Sequence, residues 1–319
     1  NVKLVGVYDL FDKNSIKLAK QYNITQYKSL NQLLEDVDVV SITTPATTHY
    51  EVTKKALTNN CHVFVEKPLA KTVDECRELV EVAKKRNRTL FVGHVFLHAS
   101  PVVKLREMIE ADELGAINYI SSRRLNLGPV RKDVSALYDL APHDISMMLY
   151  LLGQKPISVA CSGFDRFNPG IHDVCNLTMT FEGNRMGMVH VSWLDPRKER
   201  VLTVVGDKRM VVYDDLEQEK IKVFDKGIDK PENTSGDFAD FQLAYRYGGS
   251  YSPFIQEREP LKAECQEFIR CIADQDTPLT DGVNGLQVVE VLEAADRSLK
   301  MSGVPIEIES RTPITGAMK

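Results

Sequence analysis

The first 97 residues alternate between short apolar runs and amphipathic helical patterns, and this alternation restricts the possible folds more than any other feature of the chain. Each run is largely apolar and carries apolar residues on both faces, as in strands that are buried on both sides. The runs are residues 2–8, 37–42, 63–65 and 90–93. Strands that alternate with helices form a parallel sheet covered on both sides. We therefore predict an α/β domain of Rossmann type over residues 1–97.

Three short motifs in this domain resemble capping boxes, in which a Ser or Thr hydroxyl and an acid or amide three residues later close the start of a helix. They are Ser29-x-x-Gln32, Thr48-x-x-Glu51 and Thr72-x-x-Glu75. Each precedes apolar residues at helical spacing, so the motifs predict where three helices begin.

The pattern changes after residue 97. Apolar and polar residues now alternate, and short turns such as Glu182-Gly183-Asn184 separate the segments, which is typical of antiparallel hairpins. Predicted strands lie at 117–125, 157–161, 174–181, 185–193, 201–206 and 210–213, and helices at 100–115, 139–152, 261–272 and 285–301. We predict that residues 98–319 form an open antiparallel sheet with helices on one face. The uncovered face predicts a homo-oligomer, a dimer or a tetramer.

Residues 227–259 show no clear periodicity and are rich in Gly, Asp, Pro and Tyr. Such a long irregular segment is either functional, for example a lid over a substrate, or a flexible excursion.

Composition excludes some classes of function. A net charge of -5 argues against nucleic acid as the main partner. No apolar run approaches the roughly 18 residues of a membrane span. The six cysteines form no CxxC pair, which favours reduced thiols in a cytoplasmic protein, and the histidines lack metal-ligand spacing.

Lys67 is the first candidate for chemistry. It directly follows the apolar run Val63-Phe64-Val65 and precedes Pro68, which cannot continue a sheet ladder. Ligands of open parallel sheets bind beyond the carboxyl ends of the strands, so Lys67 is placed where a reactive amine is useful. The alternative is a solvated lysine in a strand-to-helix loop. His94 also follows a strand and can line the same pocket.

Asp9 is the candidate for cofactor recognition, because an acid at the end of a strand binds ribose hydroxyls in dinucleotide-binding folds. Such an acid also repels a 2'-phosphate, which favours NAD over NADP. Asp12 is an alternative assignment, and either residue can instead be a turn or cap aspartate. No Gly-x-Gly-x-x-Gly loop follows a strand in the sequence. We expect that loop and one strand to precede the sequence given; the alternative is a protein without a phosphate cradle.

Asp139 and His143 are four residues apart, so a helix places them on one face. An Asp can orient a His that accepts a proton near neutral pH. Because Pro142 fits best in a first turn, we expect Asp139 at or just before the N-cap, and the alternative is a cap residue followed by a packed histidine. Together with Lys67, which can stabilise an alkoxide, the pair suggests hydride transfer. Arg131, upstream of this helix, can meet a diphosphate or carboxylate, or is simply solvated.

The combination of Glu66-Lys67-Pro68 with Thr44-Pro45 and His49, followed by Asp139-x-x-x-His143, resembles the Gfo/Idh/MocA family of NAD(P)-dependent oxidoreductases. The resemblance implies a Rossmann domain, an open antiparallel sheet that mediates oligomers, and oxidation or reduction of a sugar or cyclitol hydroxyl. It implies a catalytic role for three residues, namely Lys67, His143 and Asp139. It implies cofactor contacts for Asp9, Thr44, Pro45, His49, Glu66 and Lys67. The absent glycine loop is the main departure.

Within that family, the stretch 137–144 and Tyr245-Arg246-Tyr247-Gly248 resemble members of nucleotide-sugar pathways. This resemblance implies oxidation of the 3-hydroxyl of a UDP-N-acetylhexosamine or its uronate, with Lys67, Arg131, Asp139, His143 and Tyr245 at the substrate. Two alternatives remain open. One is a dehydrogenase of free sugars or inositol, and the other is a non-catalytic ligand-binding protein with the same fold.

Overall fold

Parallel strands organise the N-terminal part of the protein in a computed structural model that describes residues 2–229 and 244–308. The elements of this part are β1 (Gly6–Val7), α1 (Asp12–Tyr22), β2 (Thr25–Gln26), α2 (Leu30–Asp36), β3 (Val39–Ile42), α3 (His49–Thr58), β4 (His62–Glu66), α4 (Val73–Arg86) and β5 (Leu90–Gly93). β1 pairs with β2, and β3 pairs with β4, which pairs with β5. All these pairs are parallel, as predicted.

The first strand is shorter than the apolar run 2–8 predicted. Only Gly6 and Val7 form β1, and Val2 and Leu4 keep 68% and 61% of their surface exposed. Because those two side chains are not packed against a neighbouring layer, their apolar character does not make them part of a strand.

Two of the three predicted caps form. The Thr72 hydroxyl accepts a hydrogen bond from the Glu75 backbone N–H, and the Glu75 carboxylate accepts one from the Thr72 backbone N–H, which completes a capping box. The Ser29 hydroxyl accepts a bond from the Gln32 backbone. The prediction for Thr48 is wrong, because its hydroxyl bonds to Thr44 and to the Pro45 carbonyl, and a 3-10 turn precedes α3.

The structure divides into two units, and the division differs from the predicted boundary at 97/98 in two segments, residues 94–97 and 267–286. The first unit comprises residues up to Gly93 together with Glu267–Leu286, and the rest forms the second unit. Val92 donates a backbone hydrogen bond to the Thr280 carbonyl, and Phe268 packs against Phe64 and Phe91. These contacts assign a segment to the first unit that the sequence pattern placed with the second domain.

The second unit is built on one sheet, which has nine strands within the described residues. Its elements, including two helices that run through residues of both units, are α5 (Ser100–Glu110), β6 (Ile117–Leu127), α6 (Ala136–Leu152), β7 (Ser158–Phe164), β8 (Val174–Phe181), β9 (Arg185–Ser192), β10 (Leu194–Gly206), β11 (Met210–Asp214), β12 (Ile221–Asp229), β13 (Ala244–Tyr251), α7 (Pro260–Asp274), α8 (Gly282–Lys300) and β14 (Ile306–Glu307).

The strand order is β13-β12-β11-β10-β6-β9-β8-β7-β14. Neighbours are antiparallel except β6 and β9, which are parallel, so the sheet is mixed rather than wholly antiparallel. The parallel pair arises because β6 and β9 are not joined by a hairpin; α6, β7 and β8 lie between them in the chain.

One face of this sheet carries the core of the second unit. In β8 the buried residues are Cys175, Leu177, Met179 and Phe181, which pack with apolar residues of α5, α6 and α8. The intervening positions of β8 face the other side and are partly or fully exposed. The strict alternation confirms the predicted sheet with helices on one face.

Several predicted boundaries in this unit are wrong. α6 begins at Ala136 rather than Asp139, with Pro142 inside the helix, and α5 has Ala99 as its N-cap and ends before Gly115. Residues 227–259 are not one irregular segment, because β12 and β13 pair with each other there. Glycines and polar residues hide the alternation in β13. The predicted lid falls partly on residues 230–243, which lie outside the described residues.

Within the described part of the chain, no helix combines the length and apolar character that crossing a membrane requires.

Candidate active site

The carboxyl ends of β3 and β4 bring part of the predicted site together in the first unit. Ile42 pairs with Val65 and Glu66 pairs with Gly93, so the three strands β3, β4 and β5 end nearly level. The loops that begin there carry Thr44 and Pro45 after β3 and Lys67 after β4. This is the edge of a parallel sheet at which ligands bind.

His49 connects these two loops. Its ring is 1% exposed, with Nδ1 2.7 Å from the Pro68 carbonyl oxygen and Nε2 2.8 Å from the Thr44 carbonyl oxygen. A neutral imidazole donates one of these bonds and an imidazolium donates both. Since both nitrogens face backbone carbonyls, neither is directed at a cofactor. The geometry gives His49 a positioning role, and its predicted contact with the cofactor stays a prediction.

Lys67 and Glu66 occupy the end of β4. Lys67 is half-buried, and the Lys67-Pro68 peptide bond is cis. The Glu66 carboxylate oxygen lies 3.2 Å from the position that a Cβ on Gly93 would take. The glycine at the end of β5 therefore leaves the space in which the Glu66 side chain lies.

The structure distinguishes Asp9 from Asp12. Asp9 follows β1, and its carboxylate accepts bonds from the Phe11 backbone (2.7 Å) and the Asn14 side chain (3.2 Å). Asp12 is the first residue of α1 and contacts Gln26 and Lys28. Asp9 is thus a turn aspartate, as one alternative held. A carboxylate has about four acceptor positions, so binding of ribose hydroxyls by Asp9 stays a prediction.

In the second unit, Asp139 lies in the first turn of α6, four residues before His143. Ser135, not Asp139, is the N-cap, which corrects the expected start of this helix. The Asp139 carboxylate accepts a bond from Arg131 Nη1 (3.3 Å) on Oδ1 and a bond from Trp193 Nε1 (3.3 Å) on Oδ2. The predicted acid is therefore held from two sides.

Arg131 has partners that neither predicted role assumed. Its guanidinium donates two bonds to Asp133, at 3.0 and 2.7 Å, besides the bond to Asp139. The hydrogen bond with Asp133 raises the pKa of Arg131 above its ordinary value and lowers that of Asp133. Arg131 is thus paired with two carboxylates while 41% of its side chain stays exposed, and its contact with a substrate diphosphate or carboxylate stays a prediction.

A buried ion pair lies beside His143 and was not predicted. Arg124 Nε donates to Asp144 Oδ2 at 2.6 Å, and the two side chains are 6% and 3% exposed. The Arg124 guanidinium lies 4.5 Å from the centre of the Phe96 ring, whose centre is 5.0 Å from that of His143. Arg124 is four residues after the buried Ile120 in β6, so both side chains lie on the same face of the strand. This alternation is the sequence signal that could have revealed the burial of Arg124.

Two predicted residues remain, His94 and Tyr245. His94 is fully buried and begins the second unit. Tyr245 lies on β13, the edge strand among the described residues, and is 65% exposed. The centre of its ring is 6.5 Å from the centre of the Tyr247 ring. Lys67 belongs to the first unit, whereas Asp139 and His143 belong to the second, so their action on one substrate stays a prediction.

Comparison with known families decides the classification. Residues 1–94 match the Oxidoreductase family, NAD-binding Rossmann fold, and residues 102–212 match the GFO/IDH/MocA C-terminal domain. The chain belongs to the Gfo/Idh/MocA oxidoreductase family. It is an oxidoreductase whose cofactor is NAD, as the sequence predicted.

Two relatives and one solved structure define its neighbours in this family. UDP-N-acetylglucosamine 3-dehydrogenase of Acidithiobacillus ferrooxidans is 25% identical over 90% of this chain and 87% of its own. The scyllo-inositol 2-dehydrogenase (NAD(+)) of Bacillus subtilis is 24% identical over 98% and 91%. A solved structure of the Acidithiobacillus enzyme matches with a TM-score of 0.80 at 24% identity, covering 94% and 90% of the two chains. This structural similarity confirms the predicted fold, a Rossmann-type domain followed by a sheet with helices on one face.

The residues present fit NAD at two points. Asp9 follows β1 with acceptor positions available for ribose hydroxyls, and the ends of β3 and β4 carry Thr44, Pro45 and Lys67 at one edge. The close approach of Glu66 to Gly93 defines the neighbouring part of that edge.

The buried pair beside His143 leads to a stability prediction. Arg124→Met leaves Asp144 buried without its cation, so we expect the free energy of unfolding to fall by about 3–5 kcal/mol. Arg123→Met is the matched control, because the adjacent Arg123 pairs with Glu199 while 57% exposed, and we expect a loss below about 1 kcal/mol. Urea denaturation of both variants measures the difference. Equal losses would show that burial does not determine the strength of these pairs.

Proposed function

We propose that this protein is an NAD-dependent dehydrogenase that acts on the 3-hydroxyl of a UDP-N-acetylhexosamine or its uronate. The observation that carries the proposal is the Asp139 carboxylate on α6, which two donors hold one helical turn before His143. Similarity to UDP-N-acetylglucosamine 3-dehydrogenase along most of both chains supports the nucleotide-sugar substrate.

Each residue then has a defined role. NAD, when bound, supplies the acceptor for a hydride from the carbinol carbon. His143 takes the proton of the substrate hydroxyl, and the Asp139 carboxylate stabilises the imidazolium that results. The Lys67 ammonium donates a hydrogen bond to the substrate oxygen and stabilises the negative charge that develops there. Asp9 binds the ribose hydroxyls of the adenosine half.

Free inositol or a free sugar is the second candidate substrate, and a specific contact favours it. Arg131 is engaged by Asp133 and Asp139, so it offers little positive charge to a diphosphate. The similarity to scyllo-inositol 2-dehydrogenase covers nearly the whole length of both chains.

The substrate is tested by mixing the purified protein with NAD and, separately, UDP-N-acetylglucosamine, its uronate and scyllo-inositol, and recording NADH absorbance. We expect kcat/KM for one of the UDP-sugars to exceed that for scyllo-inositol by about a hundredfold, since several additional polar contacts contribute to binding. Turnover of scyllo-inositol alone would reject the nucleotide-sugar substrate while leaving the dehydrogenase chemistry intact.

We also propose that the protein is a cytoplasmic homodimer or homotetramer that assembles through the open face of the sheet. The face opposite the helices carries partly exposed residues such as Thr178 and His190, and it extends across neighbouring strands. All six cysteines are free thiols, which fits a reducing compartment.

Lys67→Ala is expected to lower kcat by about 10²–10⁴-fold, because it removes the cation that stabilises the developing alkoxide. NADH affinity, measured by fluorescence titration, should stay within about twofold of the wild type. Lys71→Ala is the matched control, since Lys71 is an exposed lysine four residues later. Unchanged turnover in Lys67→Ala would reject this role for the amine.

Asp9→Ala is expected to raise the ratio of kcat/KM for NADP to that for NAD by about tenfold, because the carboxylate no longer repels a 2'-phosphate or binds the ribose. Asp12→Ala serves as the control, since that carboxylate is directed at Gln26 and Lys28. If Asp12→Ala changes the ratio and Asp9→Ala does not, the assignment of the acid is reversed.

A further inference from the structure

We infer that Trp193 is a positioning residue, which fixes the Asp139 carboxylate so that it can act on His143. The inference rests on the proposed function, because it gives Asp139 a role in proton transfer. Trp193 is the only tryptophan in the sequence, and no sequence pattern pointed to it.

The backbone of Trp193 is fixed on both sides. The residue lies between β9 and β10, where its N–H donates to the Asp173 carbonyl (3.0 Å) and its carbonyl accepts from the Gly128 N–H (3.1 Å). The side chain is 1% exposed. A buried ring on a fixed backbone holds its indole N–H in one direction, and that N–H can only donate.

The indole N–H of Trp193 donates to the Asp139 carboxylate, whose orientation matters for the proposed reaction. Trp193 Nε1 lies 3.3 Å from Asp139 Oδ2, while Oδ1 faces the half-exposed Arg131. Rotation of an aspartate carboxylate about χ2 meets only a broad energy minimum, so one donor on each oxygen is needed to define its plane. The buried indole is the more rigid of the two donors.

A purely structural explanation is that the indole N–H simply requires an acceptor because it is buried. The two explanations differ in what happens when the N–H is removed. If Asp139 only satisfies the indole, Trp193→Phe changes stability and leaves catalysis as it was. If the indole positions Asp139, Trp193→Phe lowers kcat through Asp139, and the loss disappears when Asp139 has already been replaced.

The test is a double-mutant cycle of Trp193→Phe and Asp139→Asn with any substrate that the protein turns over. We expect Trp193→Phe to lower kcat about tenfold, to shift the pH profile of kcat and to leave KM for NAD unchanged. In the Asp139→Asn background the same change should lower kcat less than about twofold. Additive losses, or an unchanged kcat in Trp193→Phe, would overturn the inference.

A second measurement needs neither turnover nor the Trp193 variant. Because the chain has one tryptophan, a ¹H–¹⁵N spectrum contains a single indole resonance, which we expect Asp139→Asn to displace. Asp112→Asn is the control, since Asp112 pairs with Lys208 elsewhere in the same unit, and it should leave the resonance in place. An indole resonance that does not respond to Asp139→Asn overturns the inference. If Asp139→Asn displaces the resonance but keeps full turnover, the bond between Trp193 and Asp139 exists, and the proposed catalytic role of Asp139 is wrong.

Discussion

The buried ion pair between Arg124 and Asp144 is the interaction on which the position of α6 depends. Asp144 directly follows His143 in α6, and its carboxylate accepts bonds from Arg124 and from the Ser122 hydroxyl, both on β6. These bonds join the helix to the sheet at the residue next to the proposed base. The Arg124 guanidinium also lies over the Phe96 ring, and that ring contacts the His143 ring. Arg124, Phe96 and His143 therefore form one continuous set of contacts. Breaking a buried pair leaves an uncompensated charge, which makes this attachment costly to disturb.

A comparable attachment exists in the first unit, where His49 bonds to the Thr44 and Pro68 carbonyls. One buried ring thus fixes the loop after β3 to the loop after β4, which carries Lys67. In the first unit Lys67 directly follows β4, and in the second unit His143 lies within α6; in both units a buried polar side chain fixes the adjoining backbone. Such support is what keeps proposed catalytic groups within the narrow range of orientations that proton transfer requires.

The sequence predicted the parallel pairing in the first unit, a second sheet with helices on one face and the Thr72 capping box, because those features follow from local periodicity and cap chemistry. It also placed Lys67 at the end of a strand and His143 on a helix. It did not predict the parallel pair of β6 and β9, since α6, β7 and β8 lie between these strands in the chain. It did not predict Trp193 as a partner of Asp139, since the two are 54 residues apart and meet only in the folded sheet. The predicted start of α6 was wrong, because we placed Pro142 in the first turn, whereas the helix accommodates this proline in its interior. Arg131 was assigned to an anion on charge alone, whereas its neighbours in space are carboxylates.

We propose that Lys67 of one unit and His143 of the other act on the same substrate hydroxyl. A crystal structure of the protein with NADH and UDP-N-acetylglucosamine measures this most directly. We expect Lys67 Nζ and a His143 ring nitrogen both to lie within about 3.2 Å of one hydroxyl oxygen, whose carbon faces the nicotinamide ring. A complex in which those two side chains contact different parts of the substrate, or lie on separate surfaces, would contradict it.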